Sequence, residues 1–172
     1  MRIKNCIYTS LMFLLGTEAV LLRARSQGPA EAAFLTVFCL LLYAAGLTDL
    51  RLGRLPDGYA ASVFLLGAAS LPFFSGPALP VRLMGIFAVS LPLFLLTLLM
   101  PGAFGGGDIK LMAGCGFFLG AKAVLFSFAC AVFAGGIWAL FLLLSGRKKR
   151  EDRFPFGPFL CAGMILALIF GK

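Results

Sequence analysis

Seven apolar stretches, at about 6–22, 30–48, 58–74, 81–100, 108–119, 121–144 and 156–171, take up most of the 172 residues. Polar or Gly/Pro-containing breaks separate most of them, at 23–29, 49–57, 75–80, 101–107 and 145–155. Hydrocarbon offers the backbone no hydrogen-bond partner, so such segments satisfy themselves as helices. Hydrophobic residues make up 61% and charged residues 13%, against roughly 45–50% and about 25% in a soluble domain. The chain therefore reads as all-α, a polytopic membrane helix bundle of about seven spans. It leaves room for a single membrane-embedded domain over 1–172, with an additional N-terminal helix and loop at 1–29 and a core at 30–171. The start, Met1-Arg2-Ile3-Lys4 before an apolar run, has the look of a signal peptide. The A-x-A-like site, Ala30-Glu31-Ala32, lies beyond Arg23 and Arg25 and opens the next span, so the first helix is expected to stay uncleaved.

The stretch 108–144 is either one long helix or a short one turning at Gly120-Ala121-Lys122 into a full-length one. Charge arbitrates. With a turn there, ten Lys/Arg fall on one face (Arg2, Lys4, Arg51, Arg54, Lys110, Arg147, Lys148, Lys149, Arg150 and Arg153). Five fall on the other (Arg23, Arg25, Arg82, Lys122 and Lys172). Without it the faces nearly balance. Cytoplasmic loops carry the excess of Lys and Arg, which favours the turn, with the N-terminus in the cytoplasm and the C-terminus outside. The fifth segment then has about 12 residues, roughly 18 Å at ~1.5 Å per residue, too short for ~30 Å of hydrocarbon. Other helices must shelter it.

The net charge of +8 does not imply nucleic acid, because the basic residues lie in short loops, where they set orientation and meet anionic headgroups. There is no histidine, which excludes Ser-His, Cys-His and His-bearing zinc hydrolase mechanisms as self-contained chemistry. The cysteines (Cys6, Cys39, Cys115, Cys130, Cys161) are spread one per apolar segment with no C-x-x-C pair. They read as small buried hydrophobes. Neither a metal site nor a cofactor is expected.

Acidic residues number only seven, so carboxylates at helix ends beside a bilayer are functional-site candidates. Asp49 closes the second apolar stretch and Asp108 opens the fifth, after Gly105-Gly106-Gly107. In the topology above both reach the same cytoplasmic face and can meet. Two adjacent carboxyl groups do not easily both ionise and share a proton. One then acts as base toward water while the other polarises a scissile carbonyl. The alternative is that Asp108 only caps its helix.

Gly105 and Gly107 are expected to allow a sharp turn into the Asp108 helix and to leave room for an extended substrate backbone. Lys110 either tunes the acid pair or faces the headgroups. Asp57, after Pro56, is expected to cap the third helix, and Glu18 to snorkel or make an interhelical contact. The four-residue spacings Gly116/Gly120 and Ala131/Gly135 read as close helix packing.

Three segments together resemble the type IV prepilin peptidases. Residues 49–57, Asp-Leu-Arg-Leu-Gly-Arg-Leu-Pro-Asp, are similar to that family's first-aspartate motif. Residues 105–111, Gly-Gly-Gly-Asp-Ile-Lys-Leu, resemble its G-x-G-D motif with the usual lysine, and 154–160, Phe-Pro-Phe-Gly-Pro-Phe-Leu, its Pro-Phe-Gly-Pro stretch. The resemblance implies an aspartic endopeptidase of the inner membrane that removes short basic leader peptides from prepilins and pseudopilins at the cytoplasmic face. It carries Asp49 and Asp108 over as catalytic acids and Gly105 and Gly107 as the loop shaping the site. Bifunctional members have a cysteine-paired zinc segment associated with N-methylation between the first span and the rest. Here that loop, 23–29, has no cysteine, so methylation is not expected.

A proton- or ion-coupled transporter using the two acids as a relay is the main rival. Transporters often carry internal repeats with matching broken helices; no repeat is evident, and both acids lie toward one face. A non-catalytic assembly factor predicts a degraded motif, and none is degraded. A presenilin-type protease cutting within transmembrane helices remains open. The topology predicts that a cysteine introduced at Ser26 reacts with a membrane-impermeant maleimide added from outside; labelling only after the cytoplasmic side is exposed would overturn it.

Overall fold

The computed structural model describes residues 14, 16–18, 28–73, 77–100, 104–145 and 156–170. Six helices are delimited there: α1 (Pro29–Leu52), α2 (Asp57–Ala69), α3 (Leu79–Leu99), α4 (Gly106–Leu119), α5 (Ala121–Leu144) and α6 (Gly157–Phe170). Leu14 and residues 16–18 are also helical, and no strand occurs among the described residues. Most of the expected first span, the basic residues 147–153 and Pro155 lie outside the described residues. Helices α1 and α3, and α5 as far as Phe141, are long and apolar enough to cross a membrane. The protein is a polytopic membrane helix bundle.

Local chemistry sets most boundaries. Pro29 starts α1, where a missing N–H costs nothing. Gly53 ends it in the left-handed conformation (φ 63°) with its N–H on the Asp49 carbonyl at 2.8 Å. Gly120 (φ 83°) separates α4 from α5, so the stretch 108–144 does break where charge placement indicated.

The short α4 has 14 residues, and it is sheltered as its length requires. It packs against α2, α3, α5 and α6, and Leu111, Met112, Cys115 and Phe118 are fully buried. Missing side chains make the approach possible. A Cβ on Gly116 would run into the Gly85 carbonyl of α3, and one on Gly85 into the Gly116 carbonyl. Phe118 stacks on Phe38 of α1 at a centroid distance of 4.5 Å. On the far side of the bundle, Gly163 of α6 lies against the Ser127 carbonyl of α5 and the Ala131 side chain, and Gly135 lies against Phe156 and Phe159. The small-residue spacings therefore do mark helix contacts. Their partners Gly85 and Gly163 carried no spacing signal. The outward faces of α3 and α5, with Met84, Phe87, Leu98, Phe133 and Ile137 at 60–74% exposure, are what lipid would cover.

Helix α2 corrects one expectation. The apolar stretch continues to 74, but the helix stops at Ala69 and turns through Phe73. The cause is Arg82 of α3, counted above as an outer-loop cation and instead 1% exposed. Its guanidinium donates to the carbonyls of Gly67 (3.3 Å) and Pro77 (3.0 Å) and to the Ser70 hydroxyl (3.0 Å), while Ser70 donates to the Gly67 carbonyl at 2.7 Å. Arg82 thus caps α2 from a neighbouring helix, satisfying carbonyls that a helix end leaves open. Arg82→Ala is expected to cost on the order of 2 kcal/mol or more by stranding buried acceptors, seen as a lower unfolding midpoint in detergent, with Arg82→Lys intermediate.

Candidate active site

Asp49 lies in the last turn of α1, 5% exposed. Its neighbour Thr48 shares a hydrogen bond of 2.9 Å with the Tyr59 hydroxyl, which ties this turn to α2. The Asp49 Oδ2 accepts the Gly157 N–H at 3.0 Å. That N–H belongs to the first residue of α6, one of the donors a helix start leaves unpaired. About one turn away on each helix, Cys161 of α6 meets the Gly46 backbone of α1. Helices α1 and α6 are therefore stitched together at two successive levels.

Asp108 approaches from α4. Gly105 occupies the N-cap position, so Asp108 is the third helical residue and not the cap. The Gly105 carbonyl accepts the Asp108 N–H at 3.1 Å, and the Asp108 carboxyl accepts the Gly105 N–H in return. This is the acidic half of a capping box. The other oxygen, Oδ1, is buried and has no partner among the described residues. Asp49 and Asp108 lie within electrostatic range of each other, with no hydrogen bond between them among the described residues. Cys161 lies within range of both. Each carboxylate is thus held through a backbone amide at a helix start, and the pair is free of competing cations at contact distance among the described residues.

The glycines work differently from the expectation. Gly105 has ordinary extended geometry (φ −72°, ψ 139°), and neither it nor Gly107 has positive φ. What matters is space. A Cβ on Gly107 would enter the Leu55 carbonyl and the Leu55 side chain, so the loop after α1 rests directly on the first turn of α4. A Cβ on Gly105 would come within 3.1 Å of the Asp108 Oδ2. Gly106 has nothing near it and is exposed.

Lys110 and Asp57 meet. Their ion pair, Nζ to Oδ2 at 2.5 Å, joins the first turns of α4 and α2 with both side chains more than half exposed. Lys110 therefore points to Asp57. Asp57 does not cap α2, contrary to the expected role, because Pro56 holds the N-cap position and Asp57 is the first helical residue, its carboxylate paired with the lysine. Gly157, Leu55 and Cys161 were not singled out as site residues from the sequence. Only the Pro-Phe-Gly-Pro stretch signalled that Gly157 mattered. Three or more potential metal ligands do not gather anywhere among the described residues.

The family model for the type IV leader peptidase family matches residues 36–140, which include both acids and the glycine run. The chain belongs to that family. It is similar to a prepilin leader peptidase/N-methyltransferase of Bacillus subtilis (strain 168), 32% identical over 135 residues, covering 78% of this chain and 54% of the relative. A protein of the same name from Burkholderia pseudomallei (strain 1026b) is 35% identical over 152 residues, 84% of this chain and 48% of the relative. One from Legionella pneumophila is 36% identical over 67 residues, 39% of this chain and 23% of the relative. The chain spans about half the length of the first two relatives. No solved structure matches it significantly.

Within the leader peptidase G-x-G-D motif, the contacts separate the glycines. Gly107→Ala should cost about 1–3 kcal/mol by overpacking against Leu55, whereas exposed Gly106→Ala should stay within about 0.5 kcal/mol of wild type. Thermal unfolding of the two purified variants checks this; equal destabilisation would refute the packing account.

Proposed function

We propose that the chain is a membrane aspartic endopeptidase that removes short basic leader peptides from type IV prepilin or pseudopilin-like substrates. The observation that carries this reading is that two carboxyls, one from the last turn of α1 and one from the first turn of α4, come within electrostatic range of each other in a chain of the leader peptidase family. Names of the relatives support the substrate class.

The two acids hold one proton between them and a water in the gap. The ionised carboxylate takes a proton from the water as its oxygen attacks the scissile carbonyl, while the protonated carboxyl gives its proton to the carbonyl oxygen. A tetrahedral diol forms. As it collapses, the C–N bond breaks, the leaving amine takes the proton gained by the first carboxyl, and the hydroxyl proton returns to the second. The titration belongs to the pair, and neither acid has a separate fixed role. The scheme consumes one water per bond and uses no histidine, metal or side-chain nucleophile.

The site lies at the cytoplasmic face in this reading, with the N-terminus also in the cytoplasm, an orientation that the distribution of Lys and Arg favours. The partners are the leader peptides and membrane lipid, with no nucleic acid. Methylation of the new N-terminus is either absent or left to another protein.

Purified protein incubated with a panel of leader-bearing pilins is expected to yield mature N-termini lacking a methyl group, read by peptide sequencing and mass. Asp49→Asn and Asp108→Asn are each expected to lower cleavage by about a thousandfold or more while inserting and folding normally. Full processing by Asp108→Asn would end the two-carboxylate mechanism.

A further inference from the structure

We propose that Gly157 is a positioning residue for the reaction: its amide and its missing side chain together fix the orientation of Asp49, as no α6 start with a side chain there could. The inference rests on the reading of Asp49 as a reacting acid, and it concerns a residue outside the 36–140 segment that the family model matches.

The geometry has two independent parts. The Gly157 N–H donates to Asp49 Oδ2 at 3.0 Å, which commits that oxygen and leaves the other for the gap shared with Asp108. A carboxylate otherwise rotates about its last torsion, a broad two-fold well with little intrinsic preference. Then there is the space. A Cβ on residue 157 would sit 2.6 Å from Asp49 Oδ2, 2.9 Å from its Cγ and 3.1 Å from its Cβ. The collision is with the whole carboxyl group, so any side chain would push the acid from its place. Gly157 and Asp49 are both buried, so a side chain at 157 could not be relieved by turning either residue out to solvent. One turn below, Cys161 meets the Gly46 backbone, and α1 packs along α6, which keeps the two residues facing.

A purely architectural role is the competing account, in which Asp49 merely satisfies an orphan donor of α6. Asparagine would serve that role equally well, since its amide oxygen also accepts. The two accounts differ in what a Cβ at 157 does to turnover.

The decisive comparison pairs Gly157→Ala with Gly163→Ala, the same change on the same helix. The Cβ at 163 meets the Ser127 carbonyl and not an acid. Gly157→Ala is expected to lower kcat about a hundredfold, as a small misplacement of a reacting group does, with KM within about threefold of wild type. It is also expected to shift the infrared carboxyl band that disappears in Asp49→Asn. Gly163→Ala should lower stability and leave that band in place. A Gly157→Ala enzyme that keeps kcat near wild type, or an equal kcat loss in folded Gly163→Ala, overturns the proposal. Should Gly157→Ala fail to fold, the Gly157 amide in the unmutated protein decides. Slow hydrogen exchange there that is lost in Asp49→Ala and kept in Asp108→Ala supports the proposal, and exchange indifferent to Asp49 refutes it. Should the wild type cleave no leader, the peptidase reading falls, and the infrared and exchange measurements still test the Gly157–Asp49 link.

Discussion

Backbone contact between α3 and α4 at Gly85 and Gly116 is the constraint on which the rest of the bundle depends. Helix α4 is 14 residues long, about 21 Å at ~1.5 Å per residue, and cannot span the hydrocarbon alone. It must be enclosed by protein. Enclosure without strain requires neighbouring backbones to come closer than side chains allow, and glycine provides that on both helices. In a membrane this close approach is a main source of helix association, because lipid tails remove the usual hydrophobic drive. The start of α4, and with it Asp108, is placed by those contacts and by Leu55 resting on Gly107.

Around this centre, polar groups are used sparingly and across helices. Arg82 reaches from α3 to close α2. Asp49 reaches from α1 to the start of α6. Lys110 of α4 and Asp57 of α2 pair at the exposed rim. In each case an unpaired group or charge from one helix end is answered by a different helix. These links fix the relative heights of the helices, which apolar packing alone defines loosely. The acid pair inherits its precision from them: Asp49 is held by an amide of α6 and Asp108 by an amide of its own N-cap.

Much of the fold was legible in the residues. Helix positions followed from apolar stretches, and from Pro56 and Gly120, because those residues change the backbone where they stand. Asp49 and Asp108 stood out because carboxylates are scarce in so apolar a chain. Less was legible wherever a residue's role lies in its spatial neighbour. The stop of α2 at Ala69 was hidden, since the residue that enforces it is thirteen positions further on. Arg82 looked like a loop cation because a count of charges does not register burial. Asp57 looked like a cap because its lysine partner is 53 residues away.

The sequence by itself determined that the chain is helical and membrane-embedded, where most of its helices break, and which acids were worth watching. Those are properties of single residues and short windows: hydrocarbon demands self-satisfied backbone, and glycine and proline act where they stand. Tertiary structure alone decided that Gly107 is required for space and not for conformation, that Arg82 is a cap, and that Gly157 faces Asp49. Each of these depends on the distance between atoms more than ten residues apart in the chain. No local rule encodes such distances until the helices have packed.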